Sequence, residues 1–343
     1  MKNTTNNIKI GVVGAGSWGT ALANHLSLKG FKIDLWAYEK EVKDQIITHR
    51  ENKTFLPGFL LSDNLAPTND IVRAAENKDL VLIVVPSHLV RETTLKIADS
   101  VQKHAIVVSA SKGIENKTHL TMSGVLKQTL PSISENLFAV LSGPSFAKEV
   151  AQKAPTVITA AATDYETACF VQRVFATPYL RVYTNNDPLG VELGGAIKNV
   201  IAIAAGISDG LGFGLNTRAA LITRGLLEIR RLGVRQGADP RTFTGLSGVG
   251  DLILTCTGSL SRNHTLGKKI GEGMVLSRII SEMNMVAEGV KTTKSVYNLA
   301  RRLGVEVPII NEIYHVLYDE TSPKEAVNRL MTRTLKQELG EYE

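Results

Sequence analysis

Near the start of the chain the apolar stretch Ile8–Val13 runs directly into Gly14-Ala15-Gly16-Ser17-Trp18-Gly19, and a helical pattern follows from Thr20 to Lys29. A G-x-G-x-x-G alone is a weak signal, because glycine-rich turns are common. Set between a strand and a helix, it is specific for a phosphate-binding turn. Gly14 permits the tight turn, Gly16 lets the backbone come close to a pyrophosphate, and Gly19 lets the helix close onto the strand. The first helical turn offers free N–H groups and the positive end of the helix dipole to an anion. Gly14, Gly16, Ser17, Trp18 and Gly19 are therefore candidate contacts to a dinucleotide.

Such a unit buries its strand only inside a wound sheet, and the sequence continues that way. Gly30 stands where the first helix would end in a left-handed cap. Lys32–Ala37, Leu80–Val85, Ile106–Ala110, Ala139–Leu141, Thr156–Ala161 and Leu180–Tyr183 read as further strands. Their near-continuous Val/Ile character implies cover on both faces, hence a mostly parallel sheet between helices. Beyond about Asn186 strand candidates almost disappear. Asp187-Pro188 pairs a capping residue with proline at the first helical position. Leu189, Leu193, Ile197, Val200, Ile201 and Ala204 then recur at spacings of three and four. Asp239-Pro240 repeats the start signal, and Pro308 and Pro323 punctuate later helices. The sequence predicts an α/β, doubly wound domain over residues 1–187 and an all-helical domain over 188–343.

Composition removes several functions. Of the 343 residues, 43% are hydrophobic and 21% charged, close to the globular average. The net charge of +6 is spread over dispersed basic residues with few aromatics, which argues against nucleic acid. Cys169 and Cys256 form neither a disulfide framework nor a zinc ribbon and suit a reducing compartment. The longest apolar run, Val200–Ile207, has eight residues, short of the roughly 20 a membrane span needs. Met1–Asn7 holds no apolar signal core. Together these point to a cytoplasmic globular protein. The histidines are scattered, so no metal is required, and Ser145 sits in no G-x-S-x-G elbow.

A carboxylate at the end of the second strand would bind a ribose 2′-hydroxyl and select NAD. The sequence there is Asp34-Leu35-Trp36-Ala37-Tyr38-Glu39, and the ribose-facing position falls near Ala37 or Tyr38. Glu39 comes one residue late, beside Lys40. With no fixed negative charge to repel a 2′-phosphate, the sequence leans to NADPH, with NADH as the alternative.

Several polar residues stand in apolar or glycine-rich settings. Lys198 interrupts an apolar helix segment, and its helical neighbours Gly194, Gly195, Ile201 and Ala202 are mostly small, so another body can approach. A lysine extending its ammonium into solvent fits the same spacing. Lys112 follows a strand of the cofactor domain, where parallel sheets place ligands; a solvated loop lysine reads identically. Asp251 follows Gly248 and Gly250 and precedes Leu252–Leu254, as a helix N-cap or as a site carboxylate. Ser261-Arg262-Asn263 opens a short helix. Hydroxyl, guanidinium and free N–H groups there suit a phosphomonoester, and an arginine at that end opposes the helix dipole.

Further segments fall in one order: Val84-Val85-Pro86-Ser87-His88, Ser111-Lys112-Gly113, Ser142-Gly143-Pro144-Ser145-Phe146-Ala147, and Leu193-Gly194-Gly195-Ala196-Ile197-Lys198-Asn199-Val200. Gly250-Asp251-Leu252, Thr255-Cys256-Thr257, Ser261-Arg262-Asn263 and Val286-Ala287-Glu288-Gly289 follow. Over about residues 8–330 the chain resembles the NAD(P)-dependent glycerol-3-phosphate dehydrogenases of the soluble bacterial type. The resemblance implies a Rossmann-type domain followed by a helical domain like the C-terminal domain of 6-phosphogluconate dehydrogenase. It implies interconversion of dihydroxyacetone phosphate and sn-glycerol 3-phosphate with NADH or NADPH, supply of a phospholipid precursor, and a homodimer. In that family the residue matching Lys198 accepts the proton of the substrate hydroxyl, and that matching Lys112 touches cofactor and substrate. By the same match Asp251 lies in the substrate site, where it orients Lys198 or binds a glycerol hydroxyl. Arg262, between Ser261 and Asn263, contacts the substrate phosphate and reaches the cofactor. Gly143 and Ser145 would serve the substrate side, and Ala147, Val286 and Glu288 the nicotinamide and ribose. Tyr38 stands near the adenosine, where relatives often carry His or Arg. Two rivals remain: a 3-hydroxyacid or phosphogluconate-type dehydrogenase of similar layout, and a cofactor-sensing protein that needs the glycines but not Lys198, Asp251 and Arg262 together.

Overall fold

The computed structural model describes residues 8–283 and 287–338. The first half alternates β1 (Ile10–Val13), α1 (Ser17–Leu28), β2 (Ile33–Trp36), α2 (Lys40–His49), β3 (Leu65–Thr68), β4 (Leu80–Ile83), α3 (Val90–Leu95), β5 (Ile106–Ser109) and α4 (Met122–Thr129). It continues with β6 (Phe138–Ser142), α5 (Ala147–Ala151), β7 (Thr156–Ala162), α6 (Tyr165–Phe175) and β8 (Leu180–Asn185). The strands form one sheet in the order β3-β2-β1-β4-β5-β6-β7-β8. Neighbours run parallel except β6 and β7. Strand order reverses between β1 and β4, and a sheet of this kind holds its ligand in the crevice outside the carboxyl ends at that point.

The apolar runs divide between two cores, because successive side chains of a strand point to opposite faces. Ile10, Val12, Leu80, Leu82, Ile106 and Val108 pack with α1 and α6 on one face. Val13, Val81, Ile83 and Val107 pack with Val125 and Leu126 of α4 on the other. Gly30 takes φ +105°, the left-handed conformation that ends α1. The helix itself begins at Ser17, earlier than its apolar periodicity. Strand β3 is absent from the sequence expectations because Leu65-Ala66-Pro67-Thr68 has neither a β-branched run nor a free N–H at Pro67. It survives at the sheet edge, pairing on one side only with β2.

After Asn185 the described residues form no further named strand. The second half comprises α7 (Pro188–Gly210), α8 (Leu215–Arg235), a 3₁₀ turn (Pro240–Thr244), a wide π turn (Leu246–Gly250), α9 (Asp251–Thr257) and α10 (Arg262–Gly271). Then come α11 (Leu276–Glu282), α12 (Glu288–Leu303), α13 (Pro308–Tyr318) and α14 (Pro323–Met331). Asp187 caps α7, accepting from Gly190 N at 2.9 Å, and also takes Asp239 N and Thr242 Oγ1. The Asp239-Pro240 start signal therefore yields a 3₁₀ turn and not an α-helix; Gly245, Gly248 and Gly250 just beyond do not propagate one.

Helix α7 is the axis of this half. It is long and apolar enough to cross a membrane, with a mean hydropathy of 1.4, yet that entire window is buried inside the protein. The uninterrupted run is short because Glu192, Lys198 and Asn199 divide the helix and Ser208 and Asp209 end it, so run length understated the helix. Ile197, Val200, Ile201 and Ile203 pack against Ile229, Leu232, Phe243, Leu252, Leu266 and Val296. Helix α10 crosses α7 at backbone distance: a Cβ on Gly206 would lie 2.1 Å from His264 O, and one on Gly267 would lie 2.2 Å from Ile203 O. Glu228 of α8, itself buried, caps α13 from outside by accepting Ile309 N at 2.7 Å and Ile310 N at 3.1 Å. Burial pushes its carboxyl up to about 7.

Candidate active site

At the β1–α1 turn the backbone itself requires two of the glycines. Gly14 adopts φ +121°, and a Cβ there would meet Val84 O at 2.6 Å. A Cβ on Gly19 would lie 1.9 Å from Gly14 O, so only glycine lets α1 close onto the turn. Gly16 differs, since no heavy atom stands within 4 Å of its absent Cβ. It closes against nothing in the protein and leaves room for a ligand. Helix α1 opens on Gly16, which has no side chain to cap it with, and carries no acidic residue in its first turn. Open space at the start of a helix is the cradle a pyrophosphate requires. Ser17 Oγ donates to Phe55 O at 2.6 Å, and the Trp18 indole packs on the sheet core with its N–H buried and without a hydrogen-bond partner among the described residues. The nucleotide turn fits a dinucleotide at Gly14–Gly19.

Across the crevice three charges meet. Asp251, 1% exposed, begins α9 and receives the Lys198 ammonium at 2.5 Å on Oδ1 and the Lys112 ammonium at 2.7 Å on Oδ2. Lys198 comes from α7, Lys112 from the loop after β5, and Asp251 from the end of the π turn. Gly194 and Gly195 make the meeting possible. A Cβ on Gly195 would stand 2.7 Å from Ser142 Oγ, and one on Gly194 would stand 2.6 Å from Ser247 O. The body approaching the small-residue face of α7 is thus protein: the β6 end on one side, the π turn on the other. Lys198 is 6% exposed and does not reach bulk solvent. Its second acceptor is Thr255 Oγ1 at 2.7 Å, which in turn donates to Asp251 O at 2.6 Å. Desolvation is the main force lowering the Lys198 pKa; Asp251 opposes it, Lys112 adds to it, and the result is about 8. Asp251 makes no cap of its own helix, so of its two sequence readings the N-cap is set aside.

The other expected residues divide. Lys112 also donates to Gly143 O at 3.2 Å, and Ser145 Oγ donates to the same carbonyl at 2.9 Å. Gly143 O and the Ser145 hydroxyl proton are thereby engaged within the protein. Gly143, at φ +140°, carries the turn after β6. Ala147 opens α5, next to the half-buried Phe146 whose ring lies over Gly258 of the helical half. Ser261 caps α10 through His264 N at 3.2 Å. Asn263 Oδ1 accepts Gly289 N at 3.0 Å and so pins the start of α12. Both are engaged structurally. Arg262, at the first position of α10, is exposed and close enough to Glu288 for their charges to interact. Glu288 accepts Ser87 N at 3.2 Å across the two halves. Burial raises its pKa, while Ser87 and the charges of Arg262, Lys112 and Lys198 pull it down. Ala37 is fully buried beyond β2, and Tyr38, 77% exposed, stands edge-on to Trp36 at 6.1 Å. Val286 lies outside the described residues.

Comparison with known proteins settles the family. Residues 9–168 match the model of the NAD-dependent glycerol-3-phosphate dehydrogenase N-terminus, and 187–328 that of the C-terminus. The chain belongs to the NAD-dependent glycerol-3-phosphate dehydrogenase family. It is 58% identical over 330 residues to the glycerol-3-phosphate dehydrogenase [NAD(P)+] of Citrifermentans bemidjiense, covering 96% of this chain and 98% of that one. It is 55% identical to the enzyme of the same name from Geobacter metallireducens, covering 97% and 99%. The crystal structure of glycerol-3-phosphate dehydrogenase from Coxiella burnetii superposes with a TM-score of 0.91 at 37% identity, covering 95% and 99%. As a member of that family the chain is an oxidoreductase that uses a nicotinamide dinucleotide. Its family membership removes the hydroxyacid, phosphogluconate and cofactor-sensing alternatives.

For a dehydrogenase of this family the sequence missed one polar partner at the lysine: Thr255. It lies four residues beyond Asp251 on one helix, a spacing that puts both on one face. That periodicity was the available signal.

Proposed function

We propose that the chain reduces dihydroxyacetone phosphate to sn-glycerol 3-phosphate, and runs the reverse reaction, with Lys198 as the proton donor and acceptor. The observation that carries this is the pair of ammonium groups, Lys198 and Lys112, sharing the one Asp251 carboxylate beneath the crevice edge. When bound, the nicotinamide supplies the hydride. Lys198 gives a proton to the carbonyl oxygen as it becomes a hydroxyl, and takes it back in the oxidation. A lysine at its ordinary pKa would hold that proton too tightly; at about 8 it exchanges it near working pH. Two of its three protons go to Asp251 and Thr255, leaving one for substrate. Asp251 fixes the ammonium, and Lys112 adds positive charge where negative charge develops on oxygen.

Arg262 takes the substrate phosphate by the same reading. A guanidinium at the first turn of α10, with that helix's N–H groups, suits a phosphomonoester. Ser261, Asn263, Gly143 and Ser145 act mainly through their internal bonds, which shape the pocket. Gly14, Gly16, Ser17, Trp18, Gly19, Ala147 and Glu288 border the dinucleotide. The exposed Tyr38 and the lack of an acidic residue at the end of β2 favour NADPH. Dinucleotide binding over residues 1–187 and substrate binding over 188–343, a homodimer, a cytoplasmic location and supply of glycerol 3-phosphate for phospholipids complete the reading, on the strength of the family. The test is steady-state turnover of dihydroxyacetone phosphate with NADPH and with NADH, followed by nicotinamide absorbance. Turnover with saturable kinetics is expected; none with either cofactor across the pH range would refute the proposal.

A further inference from the structure

The loop that carries Lys112 belongs to the sheet half by chain order, yet the helical half holds much of it. Ser111 Oγ donates to Val85 O at 2.5 Å, and Glu115 is paired with Arg91 at 2.8 Å; both are bonds within the sheet half. Between them the chain leans the other way. Ile114, 3% exposed, sits in the core of the helical half beside Leu193, Ala196 and Ile197. Ser295 of α12, fully buried, shares its hydroxyl proton between Ile114 O at 2.9 Å and Asn116 Oδ1 at 2.8 Å. At the far end of the loop, Glu192 of α7, 5% exposed, accepts Ser123 N at 2.7 Å and Ser123 Oγ at 2.5 Å. Ser123 is the second residue of α4. Thr121, in the capping position, makes no side-chain cap, so a carboxylate on another helix does it instead.

Neither Ser295 nor Glu192 touches Lys198, Asp251 or Arg262 through a side-chain hydrogen bond. We infer that Ser295 and Glu192 are positioning residues: from the helical half they hold the loop 112–121 so that Lys112 stands opposite Lys198 across the Asp251 carboxylate. A buried Ser or Glu bonded to a helix start or a loop carbonyl is ordinarily structural, and its loss lowers stability alone. Here the loop's next residues are Gly113, packed on Ser87, and Lys112, bonded to Asp251. Slack at Ile114 is therefore passed within two residues to an ammonium group.

The consequence is specific because of what surrounds Lys198. The charged and titratable groups acting on it are Asp251 and Cys256 of α9, Lys112 of the loop, and Glu288 of α12, itself near Arg262. Of these only Lys112 moves with the loop. Its departure removes a cation that lowers the Lys198 pKa and leaves Asp251 to Lys198 alone, so both effects raise it.

The inference rests on the proposed reaction, and its test separates the two. Ser295→Ala and Glu192→Ala are compared with wild type for kcat, KM for dihydroxyacetone phosphate, NADPH Kd, Tm and the pH dependence of glycerol 3-phosphate oxidation. KM should rise about tenfold, the effect of one lost buried hydrogen bond, with a smaller fall in kcat and a smaller change in NADPH Kd. The pH at which oxidation becomes half-maximal should move up by about half a unit or more. Glu192→Gln, which keeps an acceptor for Ser123 N, should restore most of the KM. Asn116→Ala alters only the exposed side of the Ser295 contact and carries the test if the buried variants do not fold. Folded variants with lower Tm but wild-type KM and pH profile would overturn the inference. Absent turnover in wild type would instead refute the proposed function. In that case amide exchange over residues 112–121, faster in Asn116→Ala if the tether exists and unchanged if it does not, still decides the positioning claim.

Discussion

Replacing Lys198 by methionine should kill the enzyme and stabilise the protein. The site buries two ammonium groups on one carboxylate, a net charge of +1. The Lys198 pKa of about 8, against 10.5 for a solvated lysine, means its charged form is disfavoured in the fold. At 1.36 kcal/mol per pKa unit the shift is worth about 3 kcal/mol. Methionine has nearly the same length and no charge, and it leaves Lys112 and Asp251 as a neutral pair. The sign in pH follows from linkage. Between about 8 and 10.5 the unfolded chain holds a proton that the folded chain has released, so wild-type stability rises with pH across that window. Below it the full penalty applies. Lys198→Met should therefore melt several degrees above wild type at pH 7, with the gap closing as pH approaches 10.5. Turnover should fall on the order of 10²- to 10⁴-fold, the usual contribution of a general acid–base group. Circular dichroism melts across that range, with NADPH binding as a check on the fold, provide the measurement. A variant less stable than wild type at pH 7, or a gap indifferent to pH, would show that the ammonium is not under electrostatic load, and its proton chemistry would lose its basis.

Three further outcomes are expected. Gly16→Val should fold normally, since nothing lies within 4 Å of the new Cβ, but should weaken NADPH binding at least about tenfold by occupying the pyrophosphate space; isothermal titration measures it. Arg262→Ala should raise KM for dihydroxyacetone phosphate by roughly 10²-fold through loss of a charge-assisted contact, with a smaller effect on cofactor binding. Glu228→Gln should flatten the pH dependence of stability. The wild-type carboxyl at about 7 takes up a proton on folding at pH values above the ordinary carboxylate pKa, so wild type loses stability as pH rises from about 4.5 to 7, and chemical denaturation across that interval reports the slope.

Local pattern carried much of this molecule. The strand–glycine–helix unit at Gly14, the β runs and the proline-started α7 were all readable, because each is a property of consecutive residues. Strand β3 was not, since Pro67 is permitted only by an edge position that topology assigns. The charged cluster was half legible. Lys198 stood out as a cation among small residues, yet its burial and its bond to Asp251, 53 positions away, belong to packing. Spacing left the lysine's environment and the aspartate's role open, and the close approach of α7 to β6 and the π turn decided both. Ser145 and Asn263 each also bond a backbone group, at Gly143 O and Gly289 N, contacts that spacing alone did not show.

That α4 receives its cap from Glu192 has a bearing on biogenesis. Until residue 192 has been made and docked, the first turn of α4 lacks the carboxylate that accepts Ser123 N and Oγ, and the segment before it is held only from the sheet half, by Val85 and Arg91. A prematurely ended product, stopping after the final strand, would contain the entire nucleotide turn and still present a frayed stretch near residue 120 to proteases.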